Sequence, residues 1–156
     1  MISTGPATEM NRAALACFPN CDVAILAAAV ADYAPAVVSE GKIKKLAGEM
    51  SIGLVRTPDI LTGLVAMRKE QTLVGFAMET GDLLAKAKAK LARKGCDLLV
   101  ANDLNEPGAG FGVLTNRVTL VDRRGGVEAF PLMSKVDVAH AILDRVVRWR
   151  QQGGAV

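Results

Sequence analysis

Short runs of consecutive apolar residues recur along the chain, and segments with helical spacing lie between them. VAILAAA begins at Val23, TLVGFAME spans Thr72 to Glu79, and DLLVA spans Asp97 to Ala101. Apolar runs of this length without alternation are typical of strands that are buried on both faces. Because aromatic residues make up only 4% of the chain, Ala, Val, Leu and Ile must fill the core.

Helices are predicted between these strands. The first runs from about Pro6 to Phe18, and a later one follows Thr57, which is predicted as its N-cap. A third ends at Gly95 as its C-terminal cap, and the last starts after the N-cap Ser134. Alternating strands and helices predict an α/β fold: a Rossmann-like, doubly wound, mostly parallel sheet flanked by helices.

Two further strand segments complete the predicted fold. MSIGLVR, from Met50 to Arg56, is interpreted as a short strand. RVTLVD and VEAFPL flank Arg123 to Gly126, which predicts a C-terminal β-hairpin before the final helix. Because 156 residues suit one ordinary domain and no internal repeat is evident, residues 1–156 are interpreted as a single domain.

Composition excludes several functional classes. A net charge of +3 without a basic stripe of interleaved aromatics argues against nucleic-acid binding. The longest apolar run, 23–31, is about half of what a membrane span needs, so no membrane segment is predicted. Cys17, Cys21 and Cys96 form no CxxC pair, so they are interpreted as small buried hydrophobic residues rather than metal ligands. The sequence therefore predicts a cytoplasmic protein.

Candidate site residues follow the strands, where ligands of open parallel sheets bind. Asp32 follows the first strand, Phe76 to Glu79 end another, and Asn102 and Asp103 follow a third. Asp32 is compatible with a contact to a nucleotide sugar or a cation, but equally with a turn that bonds its own backbone. Phe76 is compatible with stacking on a base or with filling the core.

Two groups of lysines could neutralise an anionic ligand. Lys42, Lys44 and Lys45 crowd one loop, and Lys90 and Lys94 share one face of the third helix with Lys86. The alternative interpretations are a solvated charge run for the loop and a favourable helix-dipole interaction for Lys94.

A set of motifs occurs in an order that resembles one enzyme family. These are AAAVADYAP, KIKK, RTPDIL, VGFAMET, KGCDLLVANDL and GFGVLTNRVTLVD. From about residue 7 to residue 150 the chain resembles phosphopantothenate–cysteine ligase, which is often the C-terminal half of a bifunctional coenzyme A biosynthesis protein. The resemblance implies joining of 4′-phosphopantothenate to L-cysteine with CTP and Mg²⁺. The carboxylate attacks the α-phosphate, diphosphate leaves, and cysteine then displaces CMP from the acyl-cytidylate.

The resemblance also implies site residues. Lys42 would be the catalytic lysine that faces the phosphates and the acyl intermediate, whereas Thr57 departs from the Asn of many relatives. The implied nucleotide-binding residues are Leu26, Ala27, Ala28, Asp32, Lys42, Thr57, Pro58, Asp59, Ile60, Phe76, Lys90 and Lys94. No metal-ligating residue is assigned.

Partners follow from the same resemblance. It implies a homodimer, formed through the hairpin, and fusion to or association with a flavin-dependent phosphopantothenoylcysteine decarboxylase domain. Two alternatives stay open at this point: a nicotinamide-dinucleotide-binding module and a non-catalytic dimerisation fragment. The first would lack its usual glycine fingerprint and its Tyr-x-x-x-Lys pair, since Tyr33 is followed by Val37.

We expect this chain to fold but to be a weak or inactive ligase alone. The family begins with a strand, a glycine-rich turn and a helix, which the sequence lacks and which would supply backbone donors to the triphosphate. Diphosphate release with phosphopantothenate, cysteine, CTP and Mg²⁺ checks this, beside a version extended at its N-terminus. Equal rates would contradict the expectation.

Overall fold

The computed structural model describes residues 1–44, 48–103, 106–110 and 112–153. Its helices are α1 (Ala7–Cys17), α2 (Ile60–Met67), α3 (Leu83–Lys94) and α4 (Lys135–Gln151), with a 3-10 turn at Phe18–Asn20. Its strands are β1 (Val23–Leu26), β2 (Tyr33–Pro35), β3 (Leu54–Arg56), β4 (Thr72–Glu79), β5 (Leu98–Asp103), β6 (Thr115–Asn116), β7 (Thr119–Asp122), β8 (Val127–Ala129) and β9 (Met133–Ser134).

The central sheet has five strands in the order β1-β4-β5-β7-β8. Strands β1, β4 and β5 are parallel, and β7 and β8 extend the sheet as an antiparallel hairpin. The predicted α/β class, the mainly parallel sheet flanked by helices and the final helix are confirmed. Two small antiparallel pairs, β2–β3 and β6–β9, lie outside this sheet.

Apolar side chains cover both faces of the sheet. On one face, Leu73, Ala77 and Leu99 pack with residues of α2 and α3. On the other face, Val74 and Val100 pack with α4, which buries Val138, Ile142, Val146 and Trp149 as predicted. Alternate residues of β4 therefore serve opposite layers, which explains its unbroken apolar sequence.

One end of each long helix lies where the sequence predicts it: α3 ends at Gly95, and Ser134 caps α4. The Asp82 carboxylate accepts a hydrogen bond from the Ala85 amide (3.1 Å) at the start of α3, which ends at Gly95 with a φ of 69°. Ser134 caps α4 by accepting from the Asp137 amide at 3.1 Å.

Three predictions about strands and about cysteine burial are wrong in detail. β1 ends at Leu26 and is not buried on both faces; Ile25 is 38% exposed, because β1 is the outer strand of this sheet. The predicted strand from Met50 is only β3, which is exposed and pairs with β2 instead of joining the main sheet. Cys17 is exposed rather than buried, whereas Cys96 is buried.

A network of aspartates and arginines closes the amino ends of the parallel strands. The Asp97 carboxylate is 3% exposed, accepts from the Leu73 amide of β4 (2.8 Å), and forms ion pairs with Arg68 and Arg123 at 3.2 Å each. Buried charges of this kind are tolerated because every oxygen has donors. Asp97 therefore joins the end of α2, strands β4 and β5, and the turn after β7.

Asp122 at the end of β7 has a similar role. Its carboxylate accepts from the amides of Arg124 (2.8 Å) and Gly126 (3.0 Å) and pairs with Arg145 of α4. A Cβ at Gly126 would clash with the Asp122 carboxylate, so a side chain there would displace this acceptor. Across the described ranges, no helix is long and apolar enough to span a bilayer.

Replacing Asp97 should strongly destabilise the fold. Asp97→Ala would leave two arginines and a buried amide without their shared acceptor, and we expect the free energy of unfolding to fall by about 3 kcal/mol. Urea denaturation measures it, with the exposed Asp144→Ala on α4 as control, which should change stability by less than about 0.5 kcal/mol. Similar losses in both variants would contradict the role assigned to Asp97.

Candidate nucleotide site

A cavity of about 620 Å³ opens at the carboxyl end of β1 and beside Gly75 and Phe76 of β4. Its volume lies within the range of small-molecule sites. All residues predicted to bind nucleotide, except Lys42, line it: Leu26, Ala27, Ala28, Asp32, Thr57, Pro58, Asp59, Ile60, Phe76, Lys90 and Lys94. Four separate segments of the chain therefore meet at the edge of the sheet where the sequence placed the site.

The floor of the cavity is apolar and depends on one close approach. A Cβ at Gly75 of β4 would lie 2.9 Å from Leu61 and 3.2 Å from Leu99. The absence of a side chain at Gly75 therefore allows α2 to pack closely against the sheet beneath the cavity. Phe76 is partly buried, packs against the α4 layer and also lines the cavity, so its position is compatible with core packing and with a contact to a ligand.

Thr57 joins two walls of the cavity. Its hydroxyl donates to the Ala31 carbonyl oxygen at 2.5 Å, and its amide donates to the Asp32 carbonyl oxygen at 3.0 Å. The prediction that Thr57 caps α2 is wrong: the cap is Asp59, whose carboxylate accepts from the Thr62 amide at 3.1 Å. The Thr57 hydroxyl thus holds the loop after β1 against the segment before α2.

Asp59 has a second partner, Lys94 of α3, with which it forms an ion pair. Partial burial alone would raise the pKa of Asp59, but hydrogen bonds from Lys94 and from Thr62 outweigh it and lower the pKa below its ordinary value. Asp59 is therefore ionised at neutral pH. Stability from this pair is present above the ordinary pKa of an aspartate and is lost as the pH falls through the lowered value.

Lys90 is held in the same way by a residue that sequence reasoning left without a role. Its ammonium lies 3.5 Å from the Glu79 carboxylate at the end of β4. The third lysine of this helical face, Lys86, donates to the Thr80 carbonyl oxygen. Glu79 could have been suspected from its position at the end of a strand, but its pairing with Lys90 depends on how α3 packs.

The wall contributed by α1 was also missed. Met10, Ala14 and Cys17 of α1 line the cavity with Phe18 and Cys21. Their helical spacing was visible in the sequence, but it indicates only a buried face and not what the face covers.

Burial, and the neighbouring Asp22, raise the pKa of Cys21, and burial raises the pKa of Cys96 to about 11, so both thiols are protonated at neutral pH.

The predicted catalytic residue, Lys42, lies apart from the cavity. It is exposed on the segment between β2 and β3 and does not line the cavity. Lys44 is also exposed, and Lys45 lies outside the described residues. The structure therefore brings together the predicted pocket but not the predicted lysine loop.

No metal cage is evident in the ranges that the structure covers: no group of three or more His, Cys, Asp or Glu could hold an ion there. This composition still fits Mg²⁺, which proteins commonly bind through one or two carboxylates together with substrate phosphates. Asp32, which lines the cavity, and Asp59 are its carboxylates. Asp59 is already engaged with Lys94, so Asp32 is the better candidate.

Comparison with known proteins gives a consistent picture. The chain is 46% identical over 148 residues to a cysteine/cysteine sulfinic acid decarboxylase from an unknown prokaryote, covering 94% of this chain and 41% of that protein. It is 45% identical over 148 residues to the coenzyme A biosynthesis bifunctional protein CoaBC of Bacillus subtilis, covering 95% and 36%. The chain thus spans well under half the length of these curated relatives.

Solved structures agree with the sequence comparison. The crystal structure of the C-terminal domain of a CoaBC protein matches with a TM-score of 0.78 and 34% identity, covering 97% of this chain and 66% of that one. The family model of the DNA/pantothenate metabolism flavoprotein C-terminal domain matches residues 1–149. This chain therefore belongs to the DNA/pantothenate metabolism flavoprotein C-terminal domain family.

Proposed function

We propose that this chain carries the nucleotide site of a phosphopantothenate–cysteine ligase that uses CTP. The observation that carries the proposal is that the predicted residues of β1, α2, β4 and α3 and of the adjoining loops line one and the same cavity. Family membership and the likeness to the CoaBC C-terminal domain support it. A nicotinamide-binding module is less well supported, because the sequence and structural similarities are to CoaBC proteins.

The cavity offers different surroundings to the parts of a nucleotide. The small side chains of Ala27 and Ala28 let a base approach the backbone after β1, and Phe76 supplies an aromatic face beside it. Asp32 at the rim suits the ribose hydroxyls or a phosphate-bound cation. Lys90 and Lys94 lie on the α3 side, where they would donate to phosphate oxygens.

In the proposed reaction a carboxylate oxygen of phosphopantothenate bonds to the α-phosphorus of CTP. The bond to the β-phosphate breaks, and diphosphate leaves with the electron pair. The cysteine amine then bonds to the acyl carbon, CMP leaves, and the amine loses a proton to solvent. The protein's task is to hold two anions together while charge develops on the leaving group, and oriented lysines are suited to it.

Mg²⁺ would neutralise part of the triphosphate charge when bound, with Asp32 as the residue of this chain that would hold it. Lys42 would face the phosphates only if the segment between β2 and β3 approached the cavity, because it lies apart from the lining residues. Its catalytic role remains a proposal based on motif position.

The relatives' other activity needs a separate explanation. One relative is named a decarboxylase and another is bifunctional, yet this chain spans only 41% and 36% of them. We propose that the decarboxylase activity belongs to the part of those proteins that this chain does not match.

Homodimerisation through the β7–β8 hairpin stays a prediction; β8 forms an outer edge of the sheet, where a partner strand could pair.

CTP should stabilise the chain more than ATP or NAD does. At about ten times its dissociation constant, CTP would add about 1.4 kcal/mol of stability, which raises the Tm by roughly 3 to 6 °C. Differential scanning fluorimetry measures the shift. Lys90→Gln should reduce it, whereas Lys88→Gln, an exposed lysine of the same helix that does not line the cavity, should not. A larger shift with NAD would contradict the proposal.

Lys42→Ala should depress turnover far more than stability. An exposed loop lysine contributes little to folding, whereas the loss of one charge oriented toward the transition state costs on the order of a hundredfold in rate. Diphosphate release in an active N-terminally extended version measures the effect, and Lys44→Ala, also exposed on this loop, is the matched control. Unchanged turnover in Lys42→Ala, or equal losses in both variants, would show that Lys42 is not the catalytic lysine.

A further inference from the structure

We propose that Asp59 and Glu79 are positioning residues, which hold Lys94 and Lys90 in the orientation that an anionic ligand of the cavity requires. The inference rests on the proposed function, because it assumes that phosphate groups bind beside α3. Its structural part, that each carboxylate holds its lysine, can be tested without any ligand.

The two pairs share one arrangement on different elements. Asp59 lies at the start of α2, and Glu79 lies at the end of β4. Their partners lie four residues apart on α3, so both ammonium groups point to the same side of that helix. All four side chains are partly exposed: 45% for Asp59, 23% for Glu79, 26% for Lys90 and 22% for Lys94.

Asp59 is fixed independently of its lysine. One carboxylate oxygen accepts from the Thr62 amide at 3.1 Å as the cap of α2, and the other oxygen pairs with Lys94. The first contact anchors the carboxylate to the helix, so the second acts as a fixed acceptor at the wall of the cavity. Capping of α2 alone would not require Asp59 to contact Lys94. Without Asp59, the Lys94 ammonium could remain in solvent.

Charge attraction is a poor explanation of this arrangement. The two carboxylates cancel the charge of the two lysines, so these four residues attract a phosphate less than free lysines would. What the pairs provide is order: a lysine side chain loses much of its conformational entropy when it is immobilised. A lysine that is already held loses less of it on ligand binding, which favours affinity through preorganisation.

Helix-dipole stabilisation is the alternative explanation for Lys94, the last residue of α3. It predicts no dependence on Asp59. It also leaves Lys90, which lies one turn earlier and pairs with Glu79 at 3.5 Å, without an explanation. Positioning by a carboxylate accounts for both lysines.

The first experiment measures lysine reactivity without ligand. In a brief acetic anhydride pulse analysed by mass spectrometry, Lys94 should react roughly two- to fivefold faster in Asp59→Asn than in the wild type, as expected for a lost partly exposed ion pair. Asn caps helices about as well as Asp, so α2 keeps its cap. The matched control is Asp82→Asn, the same change at the N-cap of α3, which should leave the Lys94 rate unchanged.

In the same assay, Glu79→Gln should increase the acetylation rate of Lys90 and leave that of Lys94 unchanged. The exposed Lys88 serves as an internal reference. Unchanged reactivity of Lys94 in Asp59→Asn, or equal changes in Asp59→Asn and Asp82→Asn, would overturn the positioning role of Asp59. Unchanged reactivity of Lys90 in Glu79→Gln would overturn that of Glu79.

The second experiment measures CTP affinity by calorimetry. Asp59→Asn should weaken binding by roughly two- to fivefold, Asp82→Asn should not, and Asp59→Asn should cause no further loss in a Lys94→Gln background. Tighter binding in Asp59→Asn would mean that the carboxylate competes with the ligand, and would overturn the proposal. Absence of CTP binding by the wild-type chain would instead overturn the proposed function, and the reactivity measurements would still decide whether Asp59 and Glu79 hold their lysines.

Discussion

The Asp97 carboxylate is the contact on which the arrangement of layers depends. It accepts from the backbone of β4 and pairs with Arg68 and Arg123, so one buried group fixes two strands, the end of α2 and the turn after β7. These contacts lie at the amino ends of the parallel strands. These contacts fix the strands at the amino end. The sheet therefore keeps its register even though the walls of the cavity at the opposite end come from separate elements.

Arginine and lysine have different roles at the two ends of the sheet. At the amino end, Arg68, Arg123 and Arg145 pair with buried aspartates, where a planar guanidinium can satisfy several acceptors at once. At the carboxyl end, lysines of α3 line or border the cavity, where a single ammonium on a long stem can exchange one acceptor for another. Charged residues thus serve rigidity at one end and ligand contact at the other.

The sequence predicted those features of the fold that depend on interactions between residues close together in the chain. β4 and the end of α3 at Gly95 were predicted closely, because apolar runs and a left-handed cap act over a few residues. The burial of β1 was not, since its place at the edge of the sheet depends on which strands pair with it. The pocket residues came from motif resemblance. The pairing of Asp59 with Lys94 was missed because it spans 35 residues and depends on how α2 packs beside α3.

The environment of Trp149, the single tryptophan of the chain, has a practical consequence. Its ring is buried in the α4 layer, with the Arg124 guanidinium 4.3 Å and the Arg123 guanidinium 5.7 Å from its centroid. The helices α1, α2 and α3 that wall the cavity lie on the opposite face of the sheet. Intrinsic fluorescence therefore gives an optical signal for the detachment of α4 from the sheet.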